Sequence, residues 1–248
     1  MISKLIPNRI KKIIRNIVLS GNNVTCPICE KNFITFLPFG AEGVKSRMNA
    51  MCPNCFSLER TRVFWLILKK NDFFSSKKSI LHVAPEKMLF EKFNSYSKLD
   101  YKAIDKFEAG YTRPKGTISM DVTDLKFTDN WFDFILCSHV LEHVIDDIKA
   151  MSEMYRVMKK GGWGIIQVPL DFSKKETFED FNITSSEDRI KAFGQHDHVR
   201  IYGVDYLSKL EKTGFEVTAY EVSEHFDENT ISRFGLNCSE KIIIVIKH

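Results

Sequence analysis

From residue 79 to the C-terminus, short apolar runs alternate with stretches whose apolar residues recur at helical spacing. The runs 79–84, 101–105, 116–120, 132–137, 163–168, 215–220 and 241–247 read as β-strands. The segments from about 87 to 93 and from about 146 to 158 read as helices, the second stopped by basic residues and Gly161-Gly162. Phe132-Asp-Phe-Ile-Leu-Cys137 is almost wholly apolar, as a strand covered on both faces must be. Strands alternating with helices predict an α/β fold, a parallel sheet with helices on both faces.

Upstream the pattern changes. Residues 1–20 read as an amphipathic helix, with Ile6, Ile10, Ile13, Ile14 and Ile17 on one side and basic residues opposite, ended by Gly21-Asn22-Asn23. Residues 24–57 are loop-rich and carry two cysteine pairs, and a helix follows over 58–70. Three zones result: a basic helix (1–20), a cysteine module with its linking helix (21–72) and an α/β domain (73–248). No run reaches the eighteen or so apolar residues of a membrane span. Lys11, Lys12 and Arg15 interrupt the N-terminal apolar residues, unlike a secretory signal. The expected compartment is the reducing cytosol, with a peripheral position on the inner membrane face open to the first helix.

Composition narrows the partners. Apolar and charged fractions of 44% and 27% are those of an ordinary globular protein. The net charge of +4 is concentrated: Lys4, Arg9, Lys11, Lys12 and Arg15 lie in the first twenty residues with no acid among them. The remaining chain is close to neutral, which argues against a phosphate-gripping nucleic-acid binder and for a small-molecule or carbohydrate substrate. The basic helix suits an anionic membrane surface; a helix lying across the domain or joining a dimer has the same pattern.

Cys26-Pro-Ile-Cys29 and Cys52-Pro-Asn-Cys55 are two C-x-x-C knuckles, each able to aim two thiolates at one ion, and together they make a tetrahedral Zn²⁺ set. Four thiolates leave no open position, so the zinc is structural. A thioredoxin-type redox pair would come singly between a strand and a helix. Cys137 and Cys238 stand alone in or near predicted strands and read as buried core residues.

The order of motifs from Ile80 onward resembles the class I S-adenosylmethionine-dependent methyltransferases, whose fold is Rossmann-like. The resemblance implies cofactor contacts at the ends of successive strands. In Ile80-Leu-His-Val-Ala-Pro-Glu86, His82 stands where the family has an acid, and Ala84 and Glu86 stand where it has glycines. Glu86 is either a displaced carboxylate for the cationic cofactor or a first-turn helix residue favoured by the dipole. Asp105 matches the acid that accepts from the ribose hydroxyls; Asp121, with the Val122 backbone, matches the adenine position. Phe132 to Val144, followed by Tyr155-Arg-Val-Met-Lys-Lys-Gly-Gly162, resembles the type 11 group and brings Ser138 and His139 to the cofactor. Glu142 and His143 read as helix-start residues packing locally. The paired cysteines, the His-Val-Ala-Pro-Glu turn and Gly194 to Gly203 together resemble zinc-ribbon methyltransferases of surface-glycan and small-molecule biosynthesis.

Methyl transfer to a hydroxyl needs a general base, and histidine suits neutral pH. Gln195-His196-Asp197-His198 offers His196 or His198 as the base, Asp197 to orient it and Arg200 to grip an anionic substrate group; these residues could equally cap a helix and bind one another. The rival functions are an RNA methyltransferase, opposed by the neutral body, and a non-catalytic scaffold whose altered first turn has lost the cofactor. A nicotinamide dehydrogenase lacks its phosphate-cradling glycines.

Overall fold

The computed structural model describes residues 7–40, 46–108 and 110–248; the first six positions of the helix expected over 1–20 lie outside them. In chain order, α1 (Asn8–Val18) leads to β1 (Ser20–Thr25), β2 (Asn32–Phe33), β3 (Leu37–Phe39), β4 (Arg47–Met51) and α2 (Glu59–Lys70). There follow β5 (Lys78–Val83), α3 (Lys87–Asn94), β6 (Leu99–Asp105), β7 (Ile118–Ser119), β8 (Phe132–Ser138), α4 (Asp147–Val157) and β9 (Met158–Gln167). The chain ends with β10 (Phe178–Glu179), α5 (Ser186–Phe193), β11 (Arg200–Ile201), α6 (Asp205–Lys212), β12 (Glu216–Glu221), α7 (Val222–His225), α8 (Glu228–Phe234) and β13 (Lys241–Ile246). It divides into two compact units, one reaching Phe74 and including Tyr220–Ile242, the other comprising Ser75–Ala219 and Ile243–His248.

The first unit is built on two antiparallel hairpins, β1–β2 and β3–β4. Gly21-Asn22-Asn23 does not end the helix, which stops at Leu19; it lies inside β1, where a side chain on Gly21 would stand 2.9 Å from the Ile34 backbone nitrogen. The polar side of α1 is tied down by Arg15 Nε on the Pro53 carbonyl (2.8 Å) and Asn16 on Asn54 (2.9 Å). Its apolar side is left in solvent: Ile10, Ile13, Ile14, Ile17 and Val18 are all exposed, Ile17 at 69%. The segment 220–242, read from sequence as part of the sheet domain, joins this unit through Arg62. That buried guanidinium donates to the Ala50, Ser57, Phe234 and Gly235 carbonyls at 2.5–2.9 Å and lies over the Phe36 ring. Cys238 is exposed, not buried, because an Asn237 side chain capping the Ser239 amide turns the chain outward before β13.

The second unit holds the sheet, of order β12-β13-β9-β8-β5-β6-β7. β5, β6, β7, β8 and β9 are mutually parallel and β13 runs antiparallel to β9. β8 is buried at every position but Asp133, as its apolar run requires. Gly161-Gly162 do not stop a helix: α4 ends at Val157 and β9 starts at once. Phe132 pairs with Met158 and Phe134 with Trp163, so residues 159–162 bulge from the ladder, with Gly161 at φ +73°. The chain order reverses between β5 and β8, and in open α/β sheets ligands bind at the carboxyl ends of the strands beside such a topological switch.

Candidate active site

β5 delivers His82 to the switch point. Its buried ring bridges Tyr101, with Nδ1 2.9 Å from the hydroxyl, and Glu86, with Nε2 3.0 Å from Oε2. Glu86 is thus held by the strand it follows and is not a freely solvated helix-start residue. Burial pushes the Tyr101 phenol well above its ordinary value. Ala84 sits at φ +49°, the left-handed region where glycine is preferred, so the turn takes a glycine-like shape at a strain cost of about 1–2 kcal/mol.

At the ends of β6 and β7 stand the two acids. Asp105 Oδ1 accepts from the Phe107 amide and from Arg113 Nε, each at 2.7 Å. Asp121 Oδ1 accepts from the Thr123 amide (2.9 Å) and hydroxyl (2.8 Å), and Lys106 Nζ is 3.3 Å from Oδ2. Burial raises the Asp121 carboxyl, but the Thr123 donors and the Lys106 ammonium outweigh it and hold it below the usual range. Val122 is buried beside it. At the end of β8 the Ser138 hydroxyl is buried and has no hydrogen-bond partner among the described residues, while His139 takes φ +56° and donates its amide to the Gln167 carbonyl.

A turn over Leu141–His143 follows β8, and the loop 195–199 is pinned to it by the Val199 amide on the Glu142 carbonyl (2.9 Å). Asp197 is central: it accepts from the Tyr111 hydroxyl and from Gln195 (3.0 Å), and its Oδ2 lies 3.3 Å from His143 Nδ1. Burial raises the Asp197 carboxyl, but Tyr111, His143 and Gln195 prevail and lower it; the same bond lifts the Tyr111 phenol to about 12. His196, 57% exposed, has Nδ1 3.8 Å from Asp197 Oδ1. His198 packs edge-on against His143 with ring centroids 4.8 Å apart, and burial lowers its pKa.

Arg200 is a correction to the sequence reading. It is 1% exposed and points inward, donating to the Leu141 carbonyl (2.9 Å), the Val144 carbonyl, the Ile145 carbonyl (2.8 Å) and Glu179 (2.8 Å). Its donors are committed to shaping the 141–145 turn, and none is directed at a substrate. Conversely, Glu142 and His143 face the 195–198 loop, which the local pattern did not indicate. Three titratable residues within five positions after an apolar strand were the available signal.

In the first unit the four knuckle cysteines converge, their sulfurs all within 4.8 Å of one another. Cys26 and Cys55 are 3.6 Å apart and Cys29 and Cys52 3.7 Å. A tetrahedral zinc with Zn–S bonds of 2.3 Å has sulfur separations of about 3.8 Å. Each knuckle closes alike: the Glu30 amide bonds the Cys26 carbonyl and the Phe56 amide the Cys52 carbonyl, with Glu30 and Phe56 both at positive φ.

A doubly wound sheet with acids ending successive strands at its switch point defines a Rossmann-like nucleotide-site architecture. Residues 87–166 match a family model described as a methyltransferase domain, of the type 11 group. An uncharacterised protein of Methanocaldococcus jannaschii is 41% identical over 133 residues, 51% of this chain and 59% of that protein. Ubiquinone/menaquinone biosynthesis C-methyltransferase UbiE of Pseudoalteromonas translucida is 31% identical over 120 residues, 42% of this chain and 47% of that enzyme. The chain thus spans about half the length of the curated relatives it matches. Among solved structures, a SAM-dependent methyltransferase from Archaeoglobus fulgidus gives a TM-score of 0.45 at 18% identity, over 75% of this chain and 93% of that one.

Proposed function

We propose that this chain is an S-adenosylmethionine-dependent methyltransferase acting on an oxygen of a small-molecule or glycan-type acceptor. The observation that carries the reading is the placement of Asp105, Asp121 and the partnerless Ser138 hydroxyl at the switch point of a sheet whose central segment matches a methyltransferase family. The residues fit the cofactor. Phe107 and Arg113 both bond Asp105 Oδ1, which leaves Oδ2 for the ribose hydroxyls. Asp121 and Val122 flank the adenine position, and Ser138 gains the partner it lacks. His82, Ala84, Glu86 and His139 form the turns around the methionine part.

When bound, S-adenosylmethionine supplies a methyl group on an activated sulfonium, so the protein's main task is alignment. His196, on an exposed loop and backed by Asp197, takes the acceptor's proton; His198 is packed against His143 and is less accessible. The methyl group supplied by the cofactor replaces this proton on the acceptor oxygen. UbiE is named for C-methylation, so fragmentation of the methylated product, which separates O–CH₃ from C–CH₃, decides the atom. Calorimetry with S-adenosylhomocysteine tests the cofactor site: wild type binds, and absence of binding removes the proposal.

Cys26, Cys29, Cys52 and Cys55 hold a structural Zn²⁺ in this reading, supported by their near-tetrahedral spacing. The exposed isoleucines of α1 serve as a contact with an anionic membrane surface. At 100° per residue Arg9 and Lys11 flank that apolar face, so charge and apolar area act together. Sedimentation with phosphatidylserine vesicles is lost in Ile13→Asp/Ile17→Asp; equal sedimentation of the variant removes this part.

A further inference from the structure

We infer that Glu142, His143 and His198 form a divalent-metal site beside the cofactor position, which seats an oxygen of the acceptor. One ligand atom from each lies within 4.8 Å of the others. Donors at about 2.1 Å from one ion stand roughly 3 Å apart, so binding draws the three together by an ångström or so.

Three features prepare the site. Glu142 is only 2% exposed, and among the described residues neither carboxylate oxygen has a hydrogen-bond partner. His139 Nδ1 lies 3.2 Å from Oε1 without hydrogen-bond alignment. A buried carboxylate left this way is costly, and such groups are normally paired or coordinate metal. Next, His143 has an acceptor for its other side: its Nδ1 lies 3.3 Å from both the backbone and a side-chain oxygen of Asp197, and the His198 ring packs edge-on against that of His143. Metal-ligating histidines almost always carry such a partner, which fixes the tautomer and aims the second nitrogen. Finally, Asp197 is itself held by Tyr111 and Gln195.

The donor set defines the ligand class. Two neutral imidazoles and one carboxylate leave a divalent ion with net positive charge and open positions, the composition of transition-metal sites that bind a further oxygen. The acceptor is therefore a compound whose reactive hydroxyl, alone or with a neighbouring oxygen, can ligate a metal. That last part rests on the proposed methyl transfer; the metal site itself does not.

Manganese is the probe, because it favours oxygen and nitrogen over thiolate and leaves a zinc-filled cysteine cluster alone. Zinc-loaded full-length protein is titrated with Mn²⁺ and the free-ion electron paramagnetic resonance signal is followed. The expected result is one Mn²⁺ per chain, with affinity at least tenfold weaker in Glu142→Gln and in His198→Gln. Without metal, Glu142→Gln melts at or above wild type, since it removes a buried carboxylate that has no hydrogen bond among the described residues; with Mn²⁺ only wild type gains stability. No binding by wild type, or binding that both variants keep, overturns the inference. S-adenosylhomocysteine calorimetry on the same samples separates the claims. Cofactor binding without Mn²⁺ sinks the metal site alone, and Mn²⁺ binding without cofactor sinks the methyltransferase reading alone.

Discussion

Replacing Arg200 with lysine separates a structural arginine from a substrate-gripping one. The guanidinium is buried and spends its donors on three backbone carbonyls of the 141–145 turn and on Glu179. Tyr202 joins the same group by donating to Asp147 at 2.8 Å. Lysine keeps the charge but is a single point donor and cannot reproduce the fork. It leaves two or more carbonyls unsatisfied at about 1–3 kcal/mol each, which for two sums to roughly 2–6 kcal/mol. A domain is stable by only about 5–15 kcal/mol, so the loss is a large share. Urea unfolding with a fluorescence readout measures it as a fall in midpoint at unchanged slope. Because the turn carries Glu142 and His143, activity falls together with stability. A stability loss under about 1 kcal/mol combined with a large rise in acceptor KM would refute the structural role.

Other consequences are checked as directly. Cys52→Ser lowers zinc content from one ion per chain to a small fraction and destabilises the first unit; elemental analysis and thermal melting read both, and an unchanged melt speaks against a structural ion. His196→Ala reduces kcat by about 10²- to 10⁴-fold with cofactor affinity intact, and wild-type turnover would remove it as the base. Asp133 accepts from the Ser79 amide and hydroxyl and from Lys159, and although burial raises its carboxyl, these donors hold it below the usual range. Its folded pKa is depressed, so its contribution is present above the unfolded value of about 3.9 and is lost as pH falls through the folded pKa. Asp133→Asn is therefore less stable at neutral pH, and the gap to wild type closes as acid is added; a gap constant from pH 7 to 2 contradicts the assignment.

The sheet was legible because its central strands must be apolar on both faces, and β5, β6, β8 and β13 fall within two residues of the positions their runs mark. The strands of the cysteine hairpins were not, since runs such as Ser20–Thr25 have neither alternation nor an apolar core of their own. The bulge at 159–162 was mistaken for a helix stop because Gly161 permits positive φ in either setting. Acids at strand ends were readable from local order. The cluster of Glu142 and His143 with Asp197 and His198 was not, because it joins residues 54 positions apart. Arg200 and Arg62 bind backbone carbonyls, which every residue carries, so their partners leave no trace in sequence.

The central claim is that the ends of β5, β6 and β7 hold an adenosyl group although the first turn lacks its glycines. Titrating zinc-loaded protein with S-adenosylhomocysteine in a calorimeter, beside Asp105→Asn, tests it most directly. The account predicts one site per chain in wild type and a loss of about 1.5–3 kcal/mol, roughly ten- to 150-fold, in the variant, the worth of a charge-assisted hydrogen bond. No heat of binding in wild type, or equal affinity in a folded variant, would contradict it.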